Sequence, residues 1–191
     1  ERQQELHHSL TKLLESRWVE RVHNLIEPGT PFPESVLRHP KHQIVDHPTR
    51  LTYRAAFDYA NEHLPGRVVA VCNSDIYLDD DCPWQNVIDL DHRIVLCLSR
   101  HEENEDGTLH QSPEIADSLG SMSQDGWFFK APIDVQNCDF PLGVLGCDNA
   151  IAHRLKGSGY TPVNQGSVYR IIHVDRCRGK NGENFVQFHN A

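Results

Sequence analysis

The chain has 191 residues, of which 38 % are apolar, and its formal net charge is −9. This length suits one domain, and the acidic charge argues against nonspecific binding to nucleic acid or to an anionic membrane. No run approaches the roughly 20 apolar residues of a membrane-spanning helix. Because the sequence opens at Glu1 without a Met, we expect residues 1–191 to be a single domain excised from a longer protein. Both a cytoplasmic and a lumenal location remain open.

The first third of the chain is predicted to alternate helices with strands. Leucines fall on one stripe of residues 1–16 and predict an amphipathic helix. A second amphipathic helix is expected over residues 49–64, where Pro65-Gly66 ends it. Between them we expect, in order, a strand at 18–26, a proline-rich loop at 28–40 and a short strand at 43–45.

The rest of the chain is predicted to carry strands separated by loops and one further helix. Val68–Cys72 is a continuous apolar run inside a predicted strand at 67–77, which indicates a strand buried on both faces of a parallel sheet. The other expected elements are a weak helix or turn at 80–90, strands at 93–98 and 126–130, loops at 103–120 and 134–146, a helix at 148–156, a strand or strand pair at 160–174, and a flexible tail at 176–191. This order predicts an α/β fold with a mixed sheet.

Polar and acidic residues directly follow the apolar run. Ligand sites in α/β sheets lie past the carboxyl ends of the strands, and here that position holds Asn73, Ser74 and Asp75. An acid at this place suits a divalent cation, and a cation suits a phosphorylated substrate. The acidic residues at 79–81 are interpreted as a solvated turn, although Asp79 is also a candidate second carboxylate for a cation.

Two further positions complete the candidate chemistry. Gly146-Cys147-Asp148-Asn149 opens the predicted helix, and His173 ends the last predicted strand. Asp148 is either a general base or an ordinary helix N-cap. The six cysteines show no CxxC pair, so a zinc ribbon is not expected.

The stretch DFPLGVLGCDNAIAHRLKGSGYTPVNQGSVYRIIH resembles the second half of a GT-A-fold glycosyltransferase. In that family a glycine loop leads to an acidic pair at a helix start, and a later strand delivers a metal-binding histidine. Asn73-Ser74-Asp75 resembles the DxD position of the same family, so the resemblance covers roughly residues 43–175. It implies a GT-A-like, Rossmann-type mixed sheet flanked by helices.

The resemblance also implies roles for individual residues. Asp75 and His173 would hold Mn²⁺ or Mg²⁺ against the diphosphate of a nucleotide-sugar donor, and Asp148 would be the base, which implies inversion at the anomeric carbon. This chain departs from the family at two places: its DxD position keeps one carboxylate, and Cys147 replaces the first acid of the acidic pair. The opening nucleotide-binding strand of the fold is expected to be missing ahead of Glu1.

The remaining candidates would contact donor or acceptor. Trp127 would stack on a sugar while Asp125 binds its hydroxyls, or the two form a turn and a core aromatic residue. Arg100 would meet a phosphate, or pair with Glu102 at the surface. Asn73, Ser74 and Cys147 join this set by position. The basic residues of the tail would close over the diphosphate, or form a solvated patch: Arg176, Arg178 and Lys180.

Two other functions stay open at this point. A sugar-nucleotide nucleotidyltransferase would share a related sheet and metal, but its early glycine-rich phosphate loop is not found in the sequence. A non-catalytic nucleotide- or carbohydrate-binding domain is favoured by the reduced acidic motifs. The acceptor, whether glycan, protein or small molecule, is fixed by no motif.

Overall fold

We describe the protein from a computed structural model, which covers residues 2–104, 106–111 and 123–174. Helices and strands alternate through the first half, and strands dominate the second. The helices are α1 (Arg2–Glu15), α2 (Glu34–Leu37), α3 (Tyr53–His63) and α4 (Cys147–Gly157), with a 3₁₀ turn at Trp84–Val87. The strands are β1 (Val22–Ile26), β2 (His42–Asp46), β3 (Val68–Cys72), β4 (Ile76–Leu78), β5 (Ile94–Leu98), β6 (Arg100–Glu103), β7 (Leu109–His110), β8 (Gly126–Lys130), β9 (Thr161–Val163) and β10 (Ile171–His173).

The strands form three sheets. The central sheet has the order β3-β8-β5-β9, in which β8 runs antiparallel to both neighbours and β9 is parallel to β5. The second sheet has the order β4-β10-β6-β7, and β10 lies antiparallel to β4 and parallel to β6. The third is the parallel pair β1-β2. The predicted α/β class with a mixed sheet is therefore confirmed.

Helices α3 and α4 cover one face of the central sheet. Tyr53 and Phe57 of α3 meet Trp127 and Phe129 of β8 in edge-to-face contacts with ring centroids 4.9 and 5.2 Å apart. Ile151 of α4 is fully buried in the same cluster. The α3 helix begins where the side chain of its N-cap residue, Thr52, accepts the N–H of Ala55.

A second apolar cluster covers the opposite face. Trp84 stacks on Phe128 with ring centroids 5.2 Å apart, and Tyr169 packs at 5.3 Å from the same indole. The alternation of side chains along β8 explains the division, because Phe128 points to this cluster while its two neighbours point to the other. The weak helix or turn predicted at 80–90 is the 3₁₀ turn at Trp84–Val87, which contains this indole.

The structure corrects several expectations. The strand predicted at 67–77 divides into β3 and β4, and the loops predicted at 28–40 and 103–120 contain α2 and β7. The apolar run at Val68–Cys72 forms a strand, but it pairs antiparallel with β8 and lies at an edge of its sheet, with Ala70 exposed. Of the two alternatives for residues 160–174, one extended strand is wrong: two strands are present, β9 and β10, but they belong to different sheets and do not pair with each other. The predicted tail at 176–191 and residues 112–122 around the predicted loop lie outside the described residues. Within the part that is described, no helix has the length and apolarity needed to cross a membrane.

We expect the core to depend strongly on Ile151. Ile151→Ala removes a fully buried side chain and should lower the free energy of unfolding by about 2 to 5 kcal/mol in urea titrations. Ile88 is 64 % exposed, so the matched change Ile88→Ala should cost less than about 0.5 kcal/mol. Equal losses in the two variants would contradict this assignment of the core.

Candidate functional site

The candidate site begins where β3 ends. The backbone N–H of Asn73 donates to the carbonyl of Asp125 at 3.2 Å, and its side-chain amide donates to the Asp125 carboxylate at 2.8 Å. The chain then turns, since the N–H of Ile76 donates back to the carbonyl of Asn73. This turn buries Asp75, which is only 5 % exposed, and leaves Ser74 exposed.

The second sheet brings His173 to this turn. β10 lies between β4 and β6, and its register sets His173 beside Ile76 on one side and Glu102 on the other. The imidazole Nδ1 lies 2.7 Å from a Glu102 carboxylate oxygen, and Nε2 lies 3.3 Å from a carboxylate oxygen of Asp75. Three residues that are far apart in sequence thus form one row, in which Asp75 and His173 are buried and Glu102 is half-buried.

The row is strongly polarised. Burial alone would lower the pKa of His173, but its bonds to Asp75 and Glu102 outweigh burial and raise the pKa to about 9. Burial would raise the pKa of Glu102, yet His173 and Arg100 bring it down to about 2. Against the same effect of burial, His173 and Arg2 hold the pKa of Asp75 well below its usual range. The imidazolium and its two carboxylates therefore stabilise one another's charged forms.

Arg100 extends the row toward the turn at Asn73. Its Nε donates to Glu102 at 2.6 Å and its Nη1 donates to Asp125 at 2.9 Å. Burial opposes the charge of Arg100, but Asp125 and Glu102 overcome it and raise the pKa of the guanidinium further above its usual value. One of the two interpretations of Arg100 was an ion pair with Glu102, and this ion pair is present. It lies inside the site.

The start of α1 closes the other end of the row. The guanidinium of Arg2 pairs with the carboxylate of Asp75, and it also donates to the carbonyl of Val174 at 3.2 Å and to Glu5 at 3.0 Å. The guanidinium of Arg2 is thus paired with Asp75, the residue for which the sequence suggested a metal ion.

Asp148 faces the site from the start of α4. Gly146 occupies the N-cap position with φ 83°, in the left-handed region that glycine tolerates, and Asp148 lies in the first turn. Its carboxylate accepts the backbone N–H of Gln124 at 3.3 Å. The N-cap interpretation of Asp148 is therefore wrong, and its carboxylate points toward the segment that leads into β8.

One cavity unites most of the predicted residues. Its walls include the acids, the bases and the small polar groups that the sequence singled out: Asn73, Ser74, Asp75, Arg100, Asp125, Cys147, Asp148 and His173. Carboxylates, an imidazole and a guanidinium line the same cavity, and a cavity with a few polar groups is the usual form of a ligand site.

Two sequence expectations do not fit this cavity. Trp127 is fully buried against α3, so its ring offers no face for a sugar to stack on, and the alternative interpretation as a core aromatic residue is confirmed. Asp79 is held by Arg170 at 2.5 Å and supplies no second carboxylate beside Asp75. The acidic turn at 79–81 is also tied to the protein by Asp80, which accepts the hydroxyl of Ser16 at 2.5 Å.

Sequence reasoning missed the site roles of Glu102 and Arg2. Arg100 and Glu102 are two positions apart in β6, and residues two apart in a strand point to the same face. This spacing was a usable signal for Glu102. Arg2 carried none, because its contact spans 73 positions of the chain.

Asp75 and His173 could supply two of the ligands of a small divalent cation such as Mg²⁺ or Mn²⁺. Octahedral Mg²⁺ or Mn²⁺ with bonds of about 2.1 Å separates adjacent ligands by about 3.0 Å, close to the 3.3 Å between Asp75 and His173. Glu102 orients the imidazole of His173 through Nδ1, as carboxylates do for metal-binding histidines. Within the ranges the structure describes, no group of three or more His, Cys, Asp or Glu is arranged to hold a metal. A cation here would have two protein ligands and would need substrate oxygens for the others.

No known protein-family model matches the chain, and no curated protein matches its sequence.

The raised pKa of His173 predicts a dependence of stability on pH. In metal-free protein with EDTA, the imidazolium stabilises the fold fully below the unfolded value of 6.5, and this contribution is lost as pH rises through the folded value of about 9. The free energy of unfolding should therefore fall between these pH values, by on the order of 1 to 3 kcal/mol.

The same measurement has a matched pair of variants. The fall should be absent in His173→Gln and retained in His153→Gln, because His153 is exposed on α4. An equal slope in the wild-type protein and His173→Gln would show that this imidazole does not carry the effect.

Proposed function

We propose that the protein is a metal-dependent glycosyltransferase that moves a sugar from a nucleotide-sugar donor to a hydroxyl of a glycan, protein or small-molecule acceptor. The observation that carries the proposal is the single cavity in which Asp75 and His173 lie together with Asp148. An acid and imidazole pair suits a diphosphate-bound cation, and a separate carboxylate suits a base.

The leaving group would lie on the side of Asp75 and His173. These two residues would hold Mn²⁺ or Mg²⁺, and the cation would take the place of the proton on Nε2 of the His173 imidazolium. The bound cation would supply positive charge against the developing charge of the departing diphosphate. Glu102 fixes the tilt of the imidazole. Arg100 neutralises part of the charge of Glu102 and Asp125, and so holds both carboxylates in place on the same wall.

Asp148 would accept the proton of the attacking hydroxyl. Asp148 lies in the first turn of α4, and a general base contributes typically about 10²- to 10⁴-fold to the rate. A base that acts directly on the acceptor implies a single displacement and inversion at the anomeric carbon. Asn73 and Asp125, joined at 2.8 Å, offer polar groups for hydroxyls of the sugar or ribose.

The first test is a panel of nucleotide sugars measured with Mn²⁺ and with EDTA. We expect one donor to bind in a metal-dependent way and to hydrolyse slowly without acceptor, because water can replace the acceptor hydroxyl. Calorimetry gives the affinity and release of the nucleoside diphosphate gives the turnover. No binding by any donor, from folded protein, would contradict the proposal.

Asp148→Asn tests the base. Turnover should fall by about 10²-fold or more while donor affinity changes little, since the amide keeps the shape but accepts no proton. Asp139 is exposed outside this cavity, so Asp139→Asn is the matched control and should keep full turnover. Equal activities of these two variants would remove Asp148 from the mechanism.

A second candidate function is a nucleotide- or carbohydrate-binding domain that works without metal. The contact that favours it is the ion pair of Arg2 with Asp75, because the guanidinium already neutralises the acid.

Arg2→Met separates the two functions. For a metal-dependent transferase, removing the competing cation should tighten Mn²⁺ binding, measured by calorimetry, by about tenfold or less, the usual range of a partly exposed ion pair. Arg21 is exposed, so Arg21→Met is the matched control and should leave the affinity unchanged. No Mn²⁺ binding by either variant, together with metal-independent donor binding, would favour the binding domain.

A further inference from the structure

Two strands of this fold each have one edge turned toward the same gap. β1 pairs with β2, and β3 pairs with β8, and no pairing joins β1 to β3 among the described residues. Both strands line a single cavity of about 2360 Å³, at one end of which the candidate site lies. We call the part between β1 and β3 the interstrand slot.

The hydrogen bonds of β1 identify the backbone groups on its open edge. The N–H of Val22 donates to Lys41 and the carbonyl of Ile26 accepts from His47, which fixes the residues that bond to β2. In a parallel ladder alternate residues bond to the same neighbour. The N–H and C=O groups of His23 and Leu25 are therefore directed to the slot.

The same reasoning applies to β3. The carbonyl of Arg67 accepts from Ala131 and the N–H of Asn73 donates to Asp125, so the odd-numbered residues bond to β8. Because the ladder alternates, the backbone groups of the other three residues are directed to the slot: Val68, Ala70 and Cys72.

The two strands begin side by side. Arg67, directly before β3, forms an ion pair with Glu20, two residues before β1, at 3.1 Å. At the other end, Ile26 and Arg50 line one small cavity. Arg50 lies beside Gly143, which also faces Asn73 directly after β3, so both strands run in the same direction. A strand placed between them could therefore pair in parallel with both β1 and β3.

The walls of the slot are apolar. Leu6 and Leu10 of α1 line it, and so do Ala56, Tyr59 and Ala60 of α3. A parallel strand covered by helices is a continuous apolar run, so the occupant should be an apolar, β-branched segment of about five residues, the length of β1.

Helix α1 indicates where this segment comes from. Its start, Arg2, contacts Asp75 beyond the carboxyl end of β3, and at its other end the carbonyl of Ser16 accepts from Lys41 directly before β2. The helix therefore returns the chain from the carboxyl edge of the strands to the amino edge. This is the path of the helix in a β-α-β unit, whose first strand would end beside Arg2.

We propose that the interstrand slot binds an extended apolar strand, parallel to β1 and β3, that leads directly into the amino end of α1. With this strand in place the β1-β2 pair and the central sheet become one continuous sheet. The proposal is independent of the proposed function, since it rests on backbone groups and apolar walls.

The test fuses the strand Val-Val-Ile-Val-Ile ahead of residue 1 through a short Gly-Ser linker. Amide hydrogen exchange is measured by NMR for His23, Leu25, Val68, Ala70 and Cys72. We expect exchange at these amides to slow by roughly tenfold or more, because each one gains a partner or is shielded from water. A fusion of the same length with Ser-Asn-Lys-Ser-Asn is the control and should leave them unchanged.

A pair of variants tests the edge itself. Leu25→Pro removes an N–H directed to the slot and spares the bonds of β1 to β2, so it should abolish the protection given by the apolar strand. Leu25→Ala keeps the N–H and should preserve that protection. Unchanged exchange in the apolar fusion, equal protection by the control strand, or protection that appears only with dimerisation in light scattering would each overturn the proposal.

Discussion

The row of Asp75, His173 and Glu102 is the interaction on which the site depends. It joins the turn after β3 to two strands of the second sheet, so the relative position of the sheets is fixed by charge as well as by packing. Buried charges are costly unless each is paired. Here the imidazolium is held between two carboxylates, and Arg2 and Arg100 complete the neutralisation at the ends.

The apolar layers hold this row in place. The side chains of β8 alternate between two aromatic clusters, one under α3 and α4 and one around Trp84. Since β8 begins directly after Asp125, its packing also sets the position of the carboxylate that links Arg100 to Asn73. The site therefore uses the ends of strands whose middles are rigid, which suits precise placement of polar groups.

Helix α1 connects the site with the interstrand slot. Its first residue neutralises Asp75, and its leucines form a wall of the slot. Ala70 of β3 is exposed although it lies in an apolar run. The reason is that one edge of β3 is directed to the slot. A sequence typical of an interior strand and a structure with an open edge are reconciled when a further strand occupies the gap.

Local patterns in the sequence were enough for the three longer helices and for most strands, because periodicity and Pro-Gly stops act over a few residues. They missed the short helix α2, which lies in the predicted proline-rich loop. They also placed Asn73, Asp75, Asp148 and His173 at element ends, where ligand sites form. Partners were decided by tertiary structure alone, since strand pairing joins residues that no local pattern relates. That is why the pairing of Glu102 with His173 and the contact of Arg2 with Asp75 emerged only from the fold. For the same reason the fold had to decide between the two interpretations of Trp127.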